Sequence, residues 1–371
     1  MKITFINRMM GILRGGGECF DLNMARALQR LGAQVRFVVG RRVFGLDCPL
    51  EEFETHYIRS PYLRGFEYRH GNSRYRVVRS IGMRARRKDD LWFGRRVISH
   101  ILARDRDTDV FQVCALAEVA ARLTEAGRKA VVRFPGPPTP TMAAWTRRCS
   151  GCFTHGASYE GALQMGLKPA LIVAGCDMDL FHPPEKRSGR AGQCRFIFVG
   201  RCIPVKNLDF LVDGFAAARR RLPELTLTIV GDGNCLPVIR RKVEGLGLSG
   251  AVEFPGFLSG RALADQYRAA DCFTLVSQYE SFSLVALEAM SSGLPLILSQ
   301  VGHLPRFIED HQAGTLVKPG DVAGLADAMV WWAEHPEARA ATGCRNRATV
   351  EKHFSWDASA RKLLTFYESL L

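Results

Sequence analysis

Glu280 and Glu288, with seven residues between them, bracket the run SFSLVAL in YESFSLVALEA (279–289). Glutamate is seldom buried without a partner, so a Glu inside an apolar run asks for a ligand or a structural bond. Reading CFTLVS (272–277) as a strand leaves Glu280 in a loop. A helix is then predicted over 282–291, with Glu288 about two turns in, beside Val285, Leu287 and Met290. At a rise of about 1.5 Å per residue, the two carboxylates are expected on the order of 10 Å apart. That is too far for an acid and a base on one bond. It suits two hydroxyl-bearing groups at opposite ends of a diphosphate, a sugar at Glu280 and a ribose at Glu288. A carboxylate accepts two hydrogen bonds from a vicinal diol. Ser281 and Ser283 offer helix caps, and free N–H groups at a helix start favour an anion. The competing reading is a structural Glu288 capping a neighbouring strand. A second cluster, GRCIPVKN (200–207), sets Arg201 and Lys206 between a strand and a helix. Paired cations and backbone N–H donors are what a diphosphate needs, although two solvated loop charges would look the same.

The elements that must position these residues alternate in two blocks. KITFIN (2–7), VRFVVG (35–40), DVFQVC (109–114) and AVVRF (130–134) read as strands, with a Gly-rich loop RGGGE (14–18) and an amphipathic helix to about Leu31 after the first. Residues 50–105 read as irregular and aromatic, an excursion from the sheet. The second block has strands at 195–200, 225–231, 252–256, 272–277, 295–299 and 313–319, separated by helical patterns and followed by helices at 321–333, 336–350 and 356–370. HPPEKRSGRAGQ (182–193) has no apolar periodicity and reads as a linker. The expected organisation is α/β, two Rossmann-like doubly wound domains facing across a cleft: 1–183, a linker over 184–194, and 195–354, with the helix 355–371 packing back onto the first. Ligands of such sheets bind outside the carboxyl ends of the strands, where Arg201, Lys206 and Glu280 fall.

At 371 residues the chain exceeds what one core usually supports, and its 47% hydrophobic and 24% charged composition is that of a globular protein. No apolar run reaches membrane-spanning length. MKITFINRMMGILRGGGE does not read as a secretory leader, and eleven scattered cysteines point to a reducing compartment, so a cytoplasmic location is expected. Residues 1–185 carry 29 Lys+Arg against 18 Asp+Glu, a net of +11, while the remainder nets +3. The excess concentrates in 59–96, where twelve cations, Arg84, Arg86, Arg87 and Lys88 among them, face three acids. Such a patch suits lipid head groups, a phosphorylated acceptor or nucleic acid, or is simply a solvated face. Cys149 and Cys152 form a single CxxC without a second pair at zinc spacing. The glycines at 15–17 do not spell a dinucleotide fingerprint.

Taken together, GRCIPVKN, the Glu280/Glu288 pair, SGLPLILS and AGTLVKPGD resemble the donor domain of retaining glycosyltransferases of family 4, which have the two-Rossmann GT-B fold. GCDMDLFHP (175–183) is similar to that family's domain boundary, and AEHPEAR, RNRA and FSWD (354–357) to its C-terminal stretch. The likeness is close over roughly 195–370 and sparse before it. It implies that Arg201 and Lys206 hold the donor diphosphate, that Glu280 contacts the transferred sugar, and that Glu288 binds the ribose. These first three are the catalytic residues it implies. The N–H groups of Ser281, Phe282, Ser283 and Leu284 would lie near phosphate and sugar, and the base near Val230–Asp232 and Phe254–Phe257. Gly16 and Gly17 would let the first domain's backbone approach the diphosphate. Catalysis would be electrostatic, with same-face attack, and would need no metal and no cofactor beyond the nucleotide-sugar donor. Where many relatives carry a His before the acceptor loop, DVFQVC offers Gln112 and Cys114. The usual Gly-Gly-x-Pro-Glu loop reads GHLPRF (302–307), with His303 and Arg306 substituted, and Glu-Gly-Phe-Gly reads Glu280-Ser281-Phe282-Ser283.

The expected activity is transfer from a UDP- or GDP-sugar to a lipid-linked or cell-envelope saccharide at the cytoplasmic face of a membrane. Arg84, Arg86, Arg87 and Lys88 would meet an anionic membrane surface. The alternatives are a soluble small-molecule acceptor, an epimerase on the same fold, or a nucleic-acid-binding module.

Overall fold

Short apolar runs alternating with amphipathic ones build two parallel sheets, one in each of two compact units, Met1–Ala174 with Trp356–Leu371, and Gly175–Ser355. The computed structural model describes residues 1–12, 15–42, 50–60, 76–185 and 191–371. In the first unit β1 (Lys2–Asn7), β2 (Gln34–Arg42), β3 (Glu54–Ser60), β4 (Val110–Cys114), β5 (Ala130–Arg133), β6 (Gly151–Thr154) and β7 (Ala170–Leu171) lie in the order β3-β2-β1-β4-β5-β6-β7, parallel throughout. The order reverses between β1 and β4, the switch point at which such sheets bind ligands.

Within 50–105, the described residues 50–60 and 76–105 are more regular than the sequence suggested. β3 adds an edge strand, and Arg76–Arg104 forms a 29-residue helix. Its stripe of Phe93, Val97 and Ile101, four residues apart, packs on Ile6, Val38 and Ile58. The surrounding arginines hide that periodicity. Buried Arg8, just past β1, pairs with Asp89 and, at 2.9 Å, with Asp90, pinning the helix to the sheet. Arg64, Arg69 and Arg74 of the basic run, and the side chains of Arg76, Arg79 and Arg86, lie outside the described residues. The closing helix Trp356–Glu368 belongs to this unit, with Arg30 bonding Asp357 at 2.6 Å. Among the described residues no helix is long and apolar enough to cross a membrane.

The second unit repeats the plan. β8 (Arg195–Val199), β9 (Thr226–Val230), β10 (Val252–Gly256), β11 (Cys272–Leu275), β12 (Leu296–Ser299) and β13 (Gly314–Val317) are ordered β10-β9-β8-β11-β12-β13, again parallel. Two Rossmann-like doubly wound units are thus present. The division falls after Ala174 rather than at 183, because residues 175–183 pack on the second unit. Cys176 N–H donates to the Phe354 carbonyl at 2.9 Å, beside a bridge between Cys176 and Ser355. Phe181 meets Tyr267 edge-on at 5.7 Å. Of the expected linker, 186–190 lie outside the described residues.

Candidate active site

The switch point of the second sheet lies between β8 and β11, and the loops that follow these strands carry the expected cations and carboxylates. After β8 come Gly200, exposed Arg201, a single 3-10 turn at Pro204–Lys206 and the helix Leu208–Arg221. After β11 the loop passes Ser277 and Glu280 to Ser283, whose hydroxyl accepts from Ala286 N–H at 3.3 Å and so starts the helix Leu284–Ser291. The two loops are joined. Gln278 N–H donates to the Val205 carbonyl at 2.8 Å, Lys206 Nζ pairs with Glu280 Oε1, and Ser277 Oγ donates to the same oxygen at 3.0 Å. Lys206 and Glu280 are largely buried, their side chains 14% and 13% exposed.

A third loop, after β12, closes on Glu280. His303 N–H donates to the Glu280 carbonyl at 3.0 Å, and a Cβ at Gly302 (φ +53°) would stand 1.9 Å from that oxygen, so only glycine fits there. The resemblance marked His303 as a departure, and the structure gives it a packing role as well: its ring lies 5.3 Å from that of buried Phe282, which also meets Phe307 at 5.5 Å. Arg306 sits at the exposed surface beside Asp310 at 3.6 Å.

Glu288 lies one turn into its helix, not two, and is half-buried. Tyr267, on the helix Gly260–Ala269, is fully buried and donates its hydroxyl to Glu288 Oε2 at 3.0 Å, with the Val285 carbonyl at 3.2 Å. Burial pushes the Glu288 carboxyl up to about 7, and the Tyr267 hydrogen bond opposes that rise. Sequence reasoning missed Tyr267. In ADQYRAAD it reads as one more core residue of an amphipathic helix, and nothing local ties it to a carboxylate 21 residues on. Phe257, just past β10 where the base was expected, is 72% exposed.

Gly16 and Gly17 belong to the other unit, at the start of the helix Gly16–Arg30, where Gly15 N–H bonds Glu18 Oε2 at 3.0 Å. A Cβ at Gly16 would meet nothing within 4 Å. Beneath this turn Arg133 pairs with Asp21 at 2.7 Å and donates to the Gly17 carbonyl at 2.9 Å. Gln112 donates to Asp21 at 2.9 Å, and the Cys114 sulfur accepts from Arg133 at 3.0 Å. The residues at the expected histidine position are therefore spent on an internal network. Cys149 and Cys152 are thiols raised by burial, to about 12 and about 11. On the basic helix Arg84, Arg87 and Lys88 are exposed.

The second unit's loops thus gather Lys206, Glu280, the helix start at Ser283–Leu284 and Glu288 around one switch point. Residues 185–349 match the glycosyl transferases group 1 family model. A D-inositol 3-phosphate glycosyltransferase of Mycolicibacterium paratuberculosis is 34% identical over 208 residues, 53% of this chain and 46% of that protein. The mannosylfructose-phosphate synthase of Agrobacterium fabrum is 31% identical over 213 residues, 53% of this chain and 47% of its own. The chain spans about half the length of the curated relatives it matches. A solved structure of Anabaena Alr3699/HepE in complex with UDP and glucose superposes with a TM-score of 0.78 at 18% identity, covering 100% of both chains. That likeness extends to the fold, and the glycosyl transferases group 1 match to residues 185–349.

Proposed function

We propose that this chain transfers a sugar from a nucleoside-diphosphate sugar to a small phosphorylated acceptor. The observation that carries the donor half is the joined loop pair in which Glu280 holds Lys206 in place at the switch point, ahead of the helix that bears Glu288. A diphosphate brings more negative charge to Lys206 than one carboxylate does. Its arrival would release Glu280 to accept hydrogen bonds from the sugar hydroxyls. Arg201 and Lys206 then stabilise the departing nucleoside diphosphate as the bond to the anomeric carbon breaks and the sugar becomes oxocarbenium-like. The acceptor hydroxyl adds on the same face, its proton passes to the departing phosphate, and configuration is retained without a dedicated base. No step requires a metal.

For the acceptor, one relative is named for D-inositol 3-phosphate and another for mannosylfructose phosphate. Those names support a small phosphate-bearing molecule over the lipid-linked saccharide that the sequence first suggested. The net +11 of residues 1–185 suits such an anion. Exposed Arg84, Arg87 and Lys88 on one helix favour a second reading, an acceptor presented at an anionic membrane.

Thermal shifts with UDP, GDP, ADP and dTDP test the donor half. One of them should raise the melting temperature of the wild type by about 5 °C at saturation, and Lys206→Ala should lose most of that gain. A folded wild type that answers to none of the four would sink the donor reading. Nucleotide release stimulated by inositol or hexose phosphates, against phosphatidylglycerol vesicles, then separates the two acceptors.

A further inference from the structure

We propose that Tyr267 is a positioning residue of the nucleotide site: its buried hydroxyl, donating to Oε2 of Glu288, holds that carboxylate so that the second oxygen receives the ribose hydroxyls. The proposal rests on the reading of Glu288 as the ribose ligand. The phenol has no room to swing away. Tyr267 is fully buried, with Phe181 edge-on at 5.7 Å and Phe273 tilted at 6.2 Å. Glu288 is only half-buried, and its Oε1 has no protein donor among the described residues. One oxygen is fixed from inside and the other is left open.

The Val285 carbonyl, at 3.2 Å, is the other acceptor of the Tyr267 hydroxyl among the described residues, and the charged carboxylate at 3.0 Å is the stronger of the two. From residues 175–183, Cys176 faces both Glu288 and Tyr267, and burial keeps its thiol protonated. Asp177 acts on that thiol. From the helix Pro336–His353, Arg347 gives Nη1 to the carbonyls of Met178, Phe181 and Ser291 and Nε to Glu351. Diol recognition therefore depends on Glu288 being charged, and that depends on Tyr267. With the carboxyl pushed up to about 7, lowering the pH through neutrality protonates it and replaces a charged acceptor by a weaker neutral one. Donor affinity should rise with pH across this window. Removing the phenol hydroxyl should move the rise to higher pH.

Calorimetric titration of UDP-glucose, or of GDP-glucose should only that one bind, from pH 6 to 9 tests this on wild type, Tyr267→Phe and Glu288→Gln. Losing the hydroxyl should raise the carboxyl by about one unit. Tyr267→Phe would then bind about fivefold more weakly at pH 7 and within about twofold of wild type at pH 9. Glu288→Gln should be weak and flat with pH. A Tyr267→Phe loss of equal size at every pH would reduce Tyr267 to a packing role and overturn the proposal. Glu288→Gln binding like wild type would instead overturn the ribose reading beneath it. Should Tyr267→Phe fail to fold, the wild type still tests the carboxylate charge on which the proposal depends. Titration in two buffers of different ionisation heat should show about half a proton released on binding at pH 7, and none released overturns the link.

Discussion

The carboxyl ends of the two sheets treat charge in opposite ways. In the first unit Asp21 and Arg133 are each 1% exposed, and Asp21 accepts from Asn7, Gln112 and Arg133. Gln112 in turn accepts from the Tyr367 hydroxyl of the closing helix. Every partner there is protein. In the second unit Lys206, Glu280 and Glu288 keep some exposure, and each carboxylate uses one oxygen on protein while the other has no protein donor among the described residues. A buried ion pair braced by protein hydrogen bonds holds a fold together. A polar set left half-satisfied at a switch point keeps an acceptor open on each carboxylate.

Three substitutions sharpen or break that contrast, the largest in the closed network. Arg133→Met strands Asp21 as a buried, uncompensated charge and should lower stability by about 3–5 kcal/mol, read from the urea midpoint. A loss under about 1 kcal/mol would erase the distinction. In the open set the sign reverses. Unfolded, Glu288 ionises near 4.5; folded, near 7. The folded state therefore holds a proton that the unfolded state has released, and stability falls as pH rises between those values. Glu288→Gln should stabilise the ligand-free protein by about 1–2 kcal/mol at pH 8, after a discount for partial exposure, and by almost nothing at pH 4.5. Equal melting temperatures of the two proteins at pH 8 would contradict this. Smallest is Gly16→Ala. With open space around the new Cβ and less freedom in the unfolded chain, stability should rise by about 0.5 kcal/mol. If the diphosphate approaches this backbone, nucleotide binding should weaken in the same variant, and unchanged binding would remove Gly16 from the donor site.

Much of this could be read from the residues alone. In the second unit, strands such as RFIFV and LILS are short, apolar and bounded by glycine or serine, so their positions follow from composition. Lys206 and Glu280 stand out because charge there interrupts a strand–loop–helix rhythm. The first unit was harder. β3, ETHYIRS, is an edge strand with exposed polar residues and little apolar signal, and in Arg76–Arg104 three core residues are outnumbered by arginines. The partners that matter most, Tyr267 for Glu288 and Gly302 for the Glu280 carbonyl, join residues 21 and 22 positions apart across separate elements. No periodicity records such a meeting; only the packed chain does.

The bridge between Cys176 and Ser355 has a consequence for ancestry. The chain enters the second unit and leaves it at neighbouring points, so the unit is a closed insertion with a single doorway, and the first fold resumes at Trp356. A module with adjoining ends can be exchanged as one block without recutting its host.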